Sequence, residues 1–279
     1  MNDRVKSPPA RRPAVLPLPT ALRTALLRLL LALGLPVLLV TGWWFASAGS
    51  TDVYWPPLRT VLETGREVWT AERITADVVP SITRLLLGYL AAAVLGVALG
   101  LVIGSFPRVR AVTEPVLEFL RAVPPPVLVP VIMLFAGIGD TMKVVVIVSG
   151  CVWPVLLNTV EGVRAVDGVL AETARSYGLA GPARLRHLVL PSASPQIFAG
   201  LRQALSIGVI LMVISEMFAA SNGLGFAVVQ FQRGFAIPEM WSGILLLGLL
   251  GVLLALAFRV VERRALAWYH GLRRSRRAS

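Results

Sequence analysis

The chain has 279 residues, 56% of them hydrophobic and only 15% charged, yet it carries a formal net charge of +12. A soluble domain of this length could not hide so much apolar side chain, so lipid is its main solvent. The positive charge does not mark a nucleic-acid binder, because the arginines fall in the gaps between apolar runs instead of lining one soluble face.

Residues 1–24 intersperse Pro8, Pro9, Pro13, Pro17 and Pro19 with basic side chains and read as a disordered cytoplasmic tail. A bilayer core about 30 Å thick needs about 20 mostly apolar residues per helix, and six stretches qualify, some marginally. The first lies within residues 25–48 and is apolar from Leu26 to Ala46. Its run is longer than a signal-peptide core, and Trp43 and Trp44 suit an interfacial belt, so it reads as a retained helix despite the Ala46-Ser47-Ala48 sequence. Residues 49–84 read as an outer segment, in which 57–84 form an amphipathic helix with Leu58, Val61, Leu62, Val68 and Trp69 on one face.

The main membrane domain is expected over 85–262. Its first helix, Leu85–Phe106, carries Gly88, Ala91, Ala92, Ala93, Gly96, Gly100 and Gly104, which let neighbouring backbones approach closely. The third apolar stretch, Pro126–Gly139, is short and follows a triple proline; the fourth, Val144–Thr159, contains Pro154. The fifth, Ile197–Ala220, has Arg202 and Glu216 near its ends, and the sixth runs from Trp241 to Val261. A second basic tail, 263–279, contains Arg273, Arg274, Arg276 and Arg277. The expectation is therefore an all-α membrane protein with six transmembrane helices.

Basic residues set the orientation. With a cytoplasmic amino terminus, the outer segments hold only Arg59, Arg66, Arg73, Arg84, Lys143 and Arg233, which leaves the other 21 of 27 Lys and Arg residues on the inner side. The opposite orientation would violate the positive-inside rule, so both termini are expected in the cytoplasm. The single cysteine, Cys151, sits inside an apolar run, and His187 and His270 are too far apart for a metal site or a triad. The sequence offers no catalytic residues and no metal ligands.

The inner connection 161–196 is the most informative segment. Asp167 can cap a helix running through Tyr177, Gly178 suits its termination, and Gly181-Pro182 makes a turn into a second short helix that Pro191 limits. A helix–turn–helix on the inner membrane surface results. Its matching residues are Glu172, Thr173, Ala174, Gly178, Leu188, Leu190 and Pro191, and they resemble the "EAA" loop of ABC importer permeases, with Thr173 in place of the first Ala and Leu188 in place of Ile. Arg121-Ala-Val-Pro-Pro-Pro, Phe135-Ala-Gly-Ile-Gly and Glu216 followed by Asn222-Gly-Leu-Gly extend the resemblance to the sulfonate, taurine and nitrate type.

That resemblance implies the permease subunit of an ATP-driven importer in a bacterial cytoplasmic membrane, paired as a homodimer. It implies two cytoplasmic ATPases that bind ATP and Mg, and a soluble binding protein that delivers a small anion. This chain would bind no cofactor itself; it has no Gly-x-x-x-x-Gly-Lys-[Ser/Thr] phosphate loop. The coupling loop would carry ATPase closure to the pore, with Glu172 as an ion-pair candidate toward the ATPase or toward Arg175. Met133, Phe135, Ser149, Trp153, Ser206, Met212 and Glu216 lie on helices that resemble the pore-forming ones, although packing is the competing account of most of them. Glu216 is expected to order the outer loop 218–226 by accepting hydrogen bonds from amides near Asn222-Gly223. The rival class is a secondary transporter driven by an ion gradient.

Overall fold

Apolar side chains and long uninterrupted backbone hydrogen bonding make every regular element helical in the computed structural model, which describes residues 20–218 and 220–269. Of the two expected basic tails, residues 1–19 and 270–279 lie outside the described residues. The chain divides into two units, 1–59 and 60–279.

The first unit holds α1 (Thr20–Ser47), with Pro36 inside it. Leu35, Val37, Leu38, Leu39 and Val40 are all exposed, and an apolar helix bare on every side suits lipid. The following loop folds back on the helix end. Ser47 Oγ accepts the Leu58 amide at 3.0 Å, and the Trp43 and Trp55 rings lie 5.6 Å apart.

The remaining helices begin with α2 (Leu58–Val68), whose Val61 is buried while Leu62 is exposed. Then come α3 (Ala71–Ser105), α4 (Pro107–Ala122), α5 (Pro125–Ala136) and α6 (Asp140–Arg164). They are followed by α7 (Gly168–Ser176), α8 (Gly181–Phe218), α9 (Leu224–Arg233) and α10 (Ile237–Ala265). The expected amphipathic helix over 57–84 is two helices instead. Thr70 interrupts it, because its extended backbone and its Oγ1, which accepts the Arg73 amide, cap a new helix that runs unbroken into the apolar stretch.

Close packing fixes the direction of each helix. A Cβ on Gly88, Gly96, Gly100 or Gly104 would sit 2.5–2.8 Å from Ile147, Val155, Thr159 or Val163 respectively. A stripe of small residues on α3 therefore receives a stripe of β-branched ones on α6. Both series advance together along the chain, so α3 and α6 are parallel. Parallel neighbours need a return crossing between them, and α4 with α5 supplies it. Pro124, Pro125 and Pro126 hold Val123 extended and fold the pair by 82°.

Helix α8 runs antiparallel to both: Gly162 faces Ala193 and Gln196, Gly200 faces Pro154 and Asn158, and Gly208 faces Leu85 and Cys151. Helix α10 starts where Ser242 accepts the Trp69 indole N–H at 3.0 Å and ends where Glu262 pairs with Arg202. Among the described residues α3, α6, α8 and α10 are long and apolar enough to cross a membrane, which makes four spans, or five when the bent α4–α5 pair is one span. Six crossings were expected, and four to five are found among the described residues; α1 contributes an apolar stretch over Gly34–Ser47.

Pro191 does not end a helix as expected. A wide turn over Leu185–Val189 precedes it, and Leu190 N–H reaches back to Leu185 O. The same device over Ile74–Val78 precedes Pro80. A wide turn shifts the carbonyls that a proline ring would otherwise strike, so each helix continues through its proline.

Candidate functional site

At one end of the bundle, α3 brings Asp77, Ser81 and Arg84 onto one face, at helical spacing i, i+4 and i+7. Across from them stands Glu216 on α8, which is about 1% exposed. Arg84 Nη1 donates to Glu216 Oε1 at 2.8 Å, and the Ser81 hydroxyl donates to the same carboxylate at 2.7 and 2.9 Å. Gly225 N–H donates to Oε2 at 2.9 Å. The loop after α8 is tied in as well: Gly223 N–H donates to Asp77 at 3.0 Å, and Leu224 N–H to the Ser81 oxygen at 2.9 Å. Gly223 has φ +121, and a Cβ there would lie 2.5 Å from the Glu216 carboxyl carbon, so only glycine fits.

Arg84 spends its remaining donors on Asp140, at 2.8 and 2.7 Å, and on Asn222, whose side-chain oxygen lies 2.5 Å away. Asp140 also faces Lys143, at 3.5 Å. The donors around this buried carboxylate satisfy its oxygens, and its guanidinium partner is fork-shaped to bridge two acids. Three helices and a loop are thus locked together by one polar cluster. A pocket of about 680 Å³ opens beside it, lined by Arg84, Asp140, Lys143, Phe218 and Asn222.

At the opposite end of the bundle, α7 follows the end of α6. The Asp167 carboxylate caps it by accepting the Leu170 amide at 3.0 Å. Its exit is a Schellman turn: Leu179 N–H donates to Ala174 O at 2.9 Å and Gly178 N–H to Arg175 O at 3.0 Å, with Gly178 at φ +72. Ala174 is buried, whereas Glu172, Thr173, Val169 and Tyr177 are not. Glu172 makes no ion pair among the described residues, with Arg175 or otherwise. A Cβ on Gly178 would meet nothing within 4 Å. Leu188 is buried in the wide turn within α8, and Leu190 and Pro191 just after it are half-buried.

The other sequence candidates do not converge on one cavity. Ser149 and Trp153 are half-buried on one face of α6, Ser206 lines a cleft between α8 and α10, and Met212 is packed in the core. Met133 is half-buried and Phe135 exposed on α5. Sequence reasoning missed Asp77, Ser81, Arg84, Asp140 and Lys143, having treated all five as outer-segment residues. Their signal was present in the i, i+4, i+7 spacing of the first three, but the apolar helix was begun at Leu85, whereas α3 begins at Ala71. Among the described residues no group of His, Cys, Asp and Glu could hold a metal ion.

Comparison with known proteins agrees with this architecture. Residues 77–266 match the family described as "Binding-protein-dependent transport system inner membrane component". The chain is 31% identical over 246 residues to the taurine transport system permease protein TauC of Escherichia coli (strain K12), covering 86% of this chain and 90% of the relative. It is 30% identical over 209 residues to a Bacillus subtilis (strain 168) permease named for aliphatic sulfonates transport, SsuC, covering 75% and 76%. A chain from inward-facing conformations of the MetNI methionine ABC transporter shares the fold, with TM-score 0.55 at 18% identity over 70% of this chain and 98% of that one. In this family ATP hydrolysis belongs to separate subunits and the permease is not catalytic. The chain belongs to the binding-protein-dependent transport inner-membrane components, the multi-pass permease subunits of ABC importers.

Proposed function

We propose that this permease carries a small sulfonate, or an anion of similar shape such as nitrate, from a binding protein at the Arg84–Glu216 end to the cytoplasm at the Gly178 end. The relatives' names point to the solute class: taurine and aliphatic sulfonates share the sulfonate group. The observation that carries the direction of coupling is the α7 turn. It is capped, sharply closed at Gly178, largely exposed, and equipped with an unpaired Glu172, all of which suit a rigid projection docking into another protein. Glu172, Thr173, Ala174 and Gly178 meet the ATPase subunits in this reading, and Leu188, Leu190 and Pro191 pass the movement into α8. ATP and Mg are held by those subunits.

The remaining parts of the reading follow from charge and parity. Five crossings leave the ends of the second unit on opposite sides, and α1 as a sixth crossing brings both termini to the basic, cytoplasmic side. The translocation domain begins with α3 at Ala71, ahead of the expected residue 85, and runs to about residue 262 with 161–196 as its coupling loop. The outer segment before α3 and the tails 1–24 and 263–279 flank it. Two copies enclose the path. Ser149, Trp153 and Ser206 are its candidate lining; Met212 and Glu216, also candidates from sequence, are buried in this conformation and support the wall from behind. The test is uptake of labelled taurine and propane-1-sulfonate into vesicles holding the chain with its ATPase and binding protein. Uptake that requires ATP on the ATPase side supports the reading. Uptake by the chain alone, driven by an ion gradient, would replace it with a secondary transporter.

A further inference from the structure

Two cations converge on one oxygen at the outer pocket. Asp140 Oδ1 receives Arg84 Nε at 2.8 Å, Arg84 Nη2 at 2.7 Å and Lys143 Nζ at 3.5 Å. The cation side chains are each about 4% exposed, whereas that of Asp140 is 70% exposed. An ammonium has three N–H donors, and among the described residues only this one distant oxygen meets that of Lys143. A buried ammonium so poorly answered is costly unless something else supplies acceptors. Glu216 already neutralises Arg84 from the buried side, held there by Ser81 and the Gly225 amide. The cluster is therefore a preformed cationic cradle whose one solvated member is a carboxylate.

We propose that this pocket is a transient station for the transported anion, which displaces the Asp140 carboxylate from Arg84 and Lys143. The exchange swaps one negative charge for another, so it leaves the charge of the cluster unchanged. A sulfonate offers three acceptor oxygens to donors that Asp140 serves through one. The exposed Phe218 and Ile138 on the pocket wall receive a short alkyl tail. The pocket volume, about 680 Å³, is within the range of small-molecule sites. When the anion leaves, Asp140 returns and closes the ion pairs again, which keeps the station weak enough to release its occupant. This inference rests on the anion-import reading above.

The test uses the full chain in lipid nanodiscs with Ser221→Cys at the pocket rim as a reporter. Cys151, the only native cysteine, is buried and does not compete for label. Propane-1-sulfonate should slow maleimide labelling of the reporter several-fold, while the uncharged dimethyl sulfone at equal concentration should not. Lys143→Gln should abolish the protection and Lys143→Arg should keep it, which separates loss of the charge from loss of the fold. Asp140→Asn removes the competing carboxylate and should lower the half-protecting concentration by about tenfold. Three results overturn the site: equal protection with and without the Lys143→Gln substitution, protection by the sulfone, or no protection while Lys143 is intact. Uptake of the same sulfonate by the complete complex is measured alongside. Uptake without protection removes the station and leaves the importer reading intact. Lys143-dependent protection without uptake keeps the station and removes the solute assignment.

Discussion

Replacing Glu216 by Gln probes the polar cluster where its geometry is most demanding. The carboxylate accepts from Ser81, Arg84 and Gly225, and every one of these partners is a donor. Glutamine keeps one acceptor oxygen and turns the other into an NH₂, so a donor must face a donor at either the Gly225 amide or the Ser81–Arg84 side. An unsatisfied buried donor costs about 1–3 kcal/mol. Arg84 also loses its buried counter-charge, and breaking such a pair outright costs about 3–5 kcal/mol. Asp140 and Asn222 still hold the guanidinium, so a total of about 3 kcal/mol is expected. The loop after α8 should open first, because its Gly223, Leu224 and Gly225 amides are bonded to side chains of this cluster. Hydrogen exchange at those three amides should accelerate on the order of a hundredfold, the equivalent of about 3 kcal/mol. Exchange over 167–179, and capture of the ATPase subunit, should stay unchanged. Exchange at Leu224 and Gly225 within about threefold of the parent chain would show that the carboxylate does not hold the loop.

Gly178→Val forces a β-branched residue to φ +72, at a cost of about 1–2 kcal/mol, but meets no neighbour in this chain. It should insert normally and lose stimulation of the ATPase by the loaded binding protein; normal sulfonate uptake in vesicles would remove the coupling role of the turn. Gly100→Val is the opposite case, since its Cβ alone would lie 2.5 Å from Thr159 Cβ and 2.9 Å from Leu156 O. It should destabilise the α3–α6 contact by about 1–3 kcal/mol or more and lower the melting temperature in detergent, whereas Gly248→Val, with nothing within 4 Å, should not.

Much of the architecture was legible because lipid writes it into composition and spacing. Long apolar runs mark α3, α6, α8 and α10 whatever their neighbours, since an unsatisfied backbone in lipid forces a helix. The small residues of α3 announced close packing, and Asp167, Gly178 and Gly181 announced a capped helix with a sharp exit. These are local signals, complete within a few residues. The count of crossings was less legible. Whether the short stretch after the triple proline crosses depends on α3 and α6 being parallel, and that is a contact between residues 59 positions apart.

Glu216 was visible from sequence as an acid too apolar in its surroundings to be idle. Its partners were not visible, because Arg84 and Asp140 look like ordinary outer charges when each is read among its own neighbours. Only the packing of α3, α6 and α8 brings them within hydrogen-bond distance, and it also withdraws Arg84 and Lys143 from solvent while leaving Asp140 in it. Pro191 shows the same limit in backbone terms: a proline in a helical run is a break by local rules, but the wide turn before it lets the helix pass. Amino-acid order by itself determined which segments are apolar enough to enter lipid and where the capped turn at Gly178 lies, because hydrophobicity, charge and glycine conformation act on single residues and their nearest neighbours. The tertiary structure alone decided which charges are paired and which cation is left facing a cavity, because ion pairing and desolvation depend on distances between helices far apart in the chain.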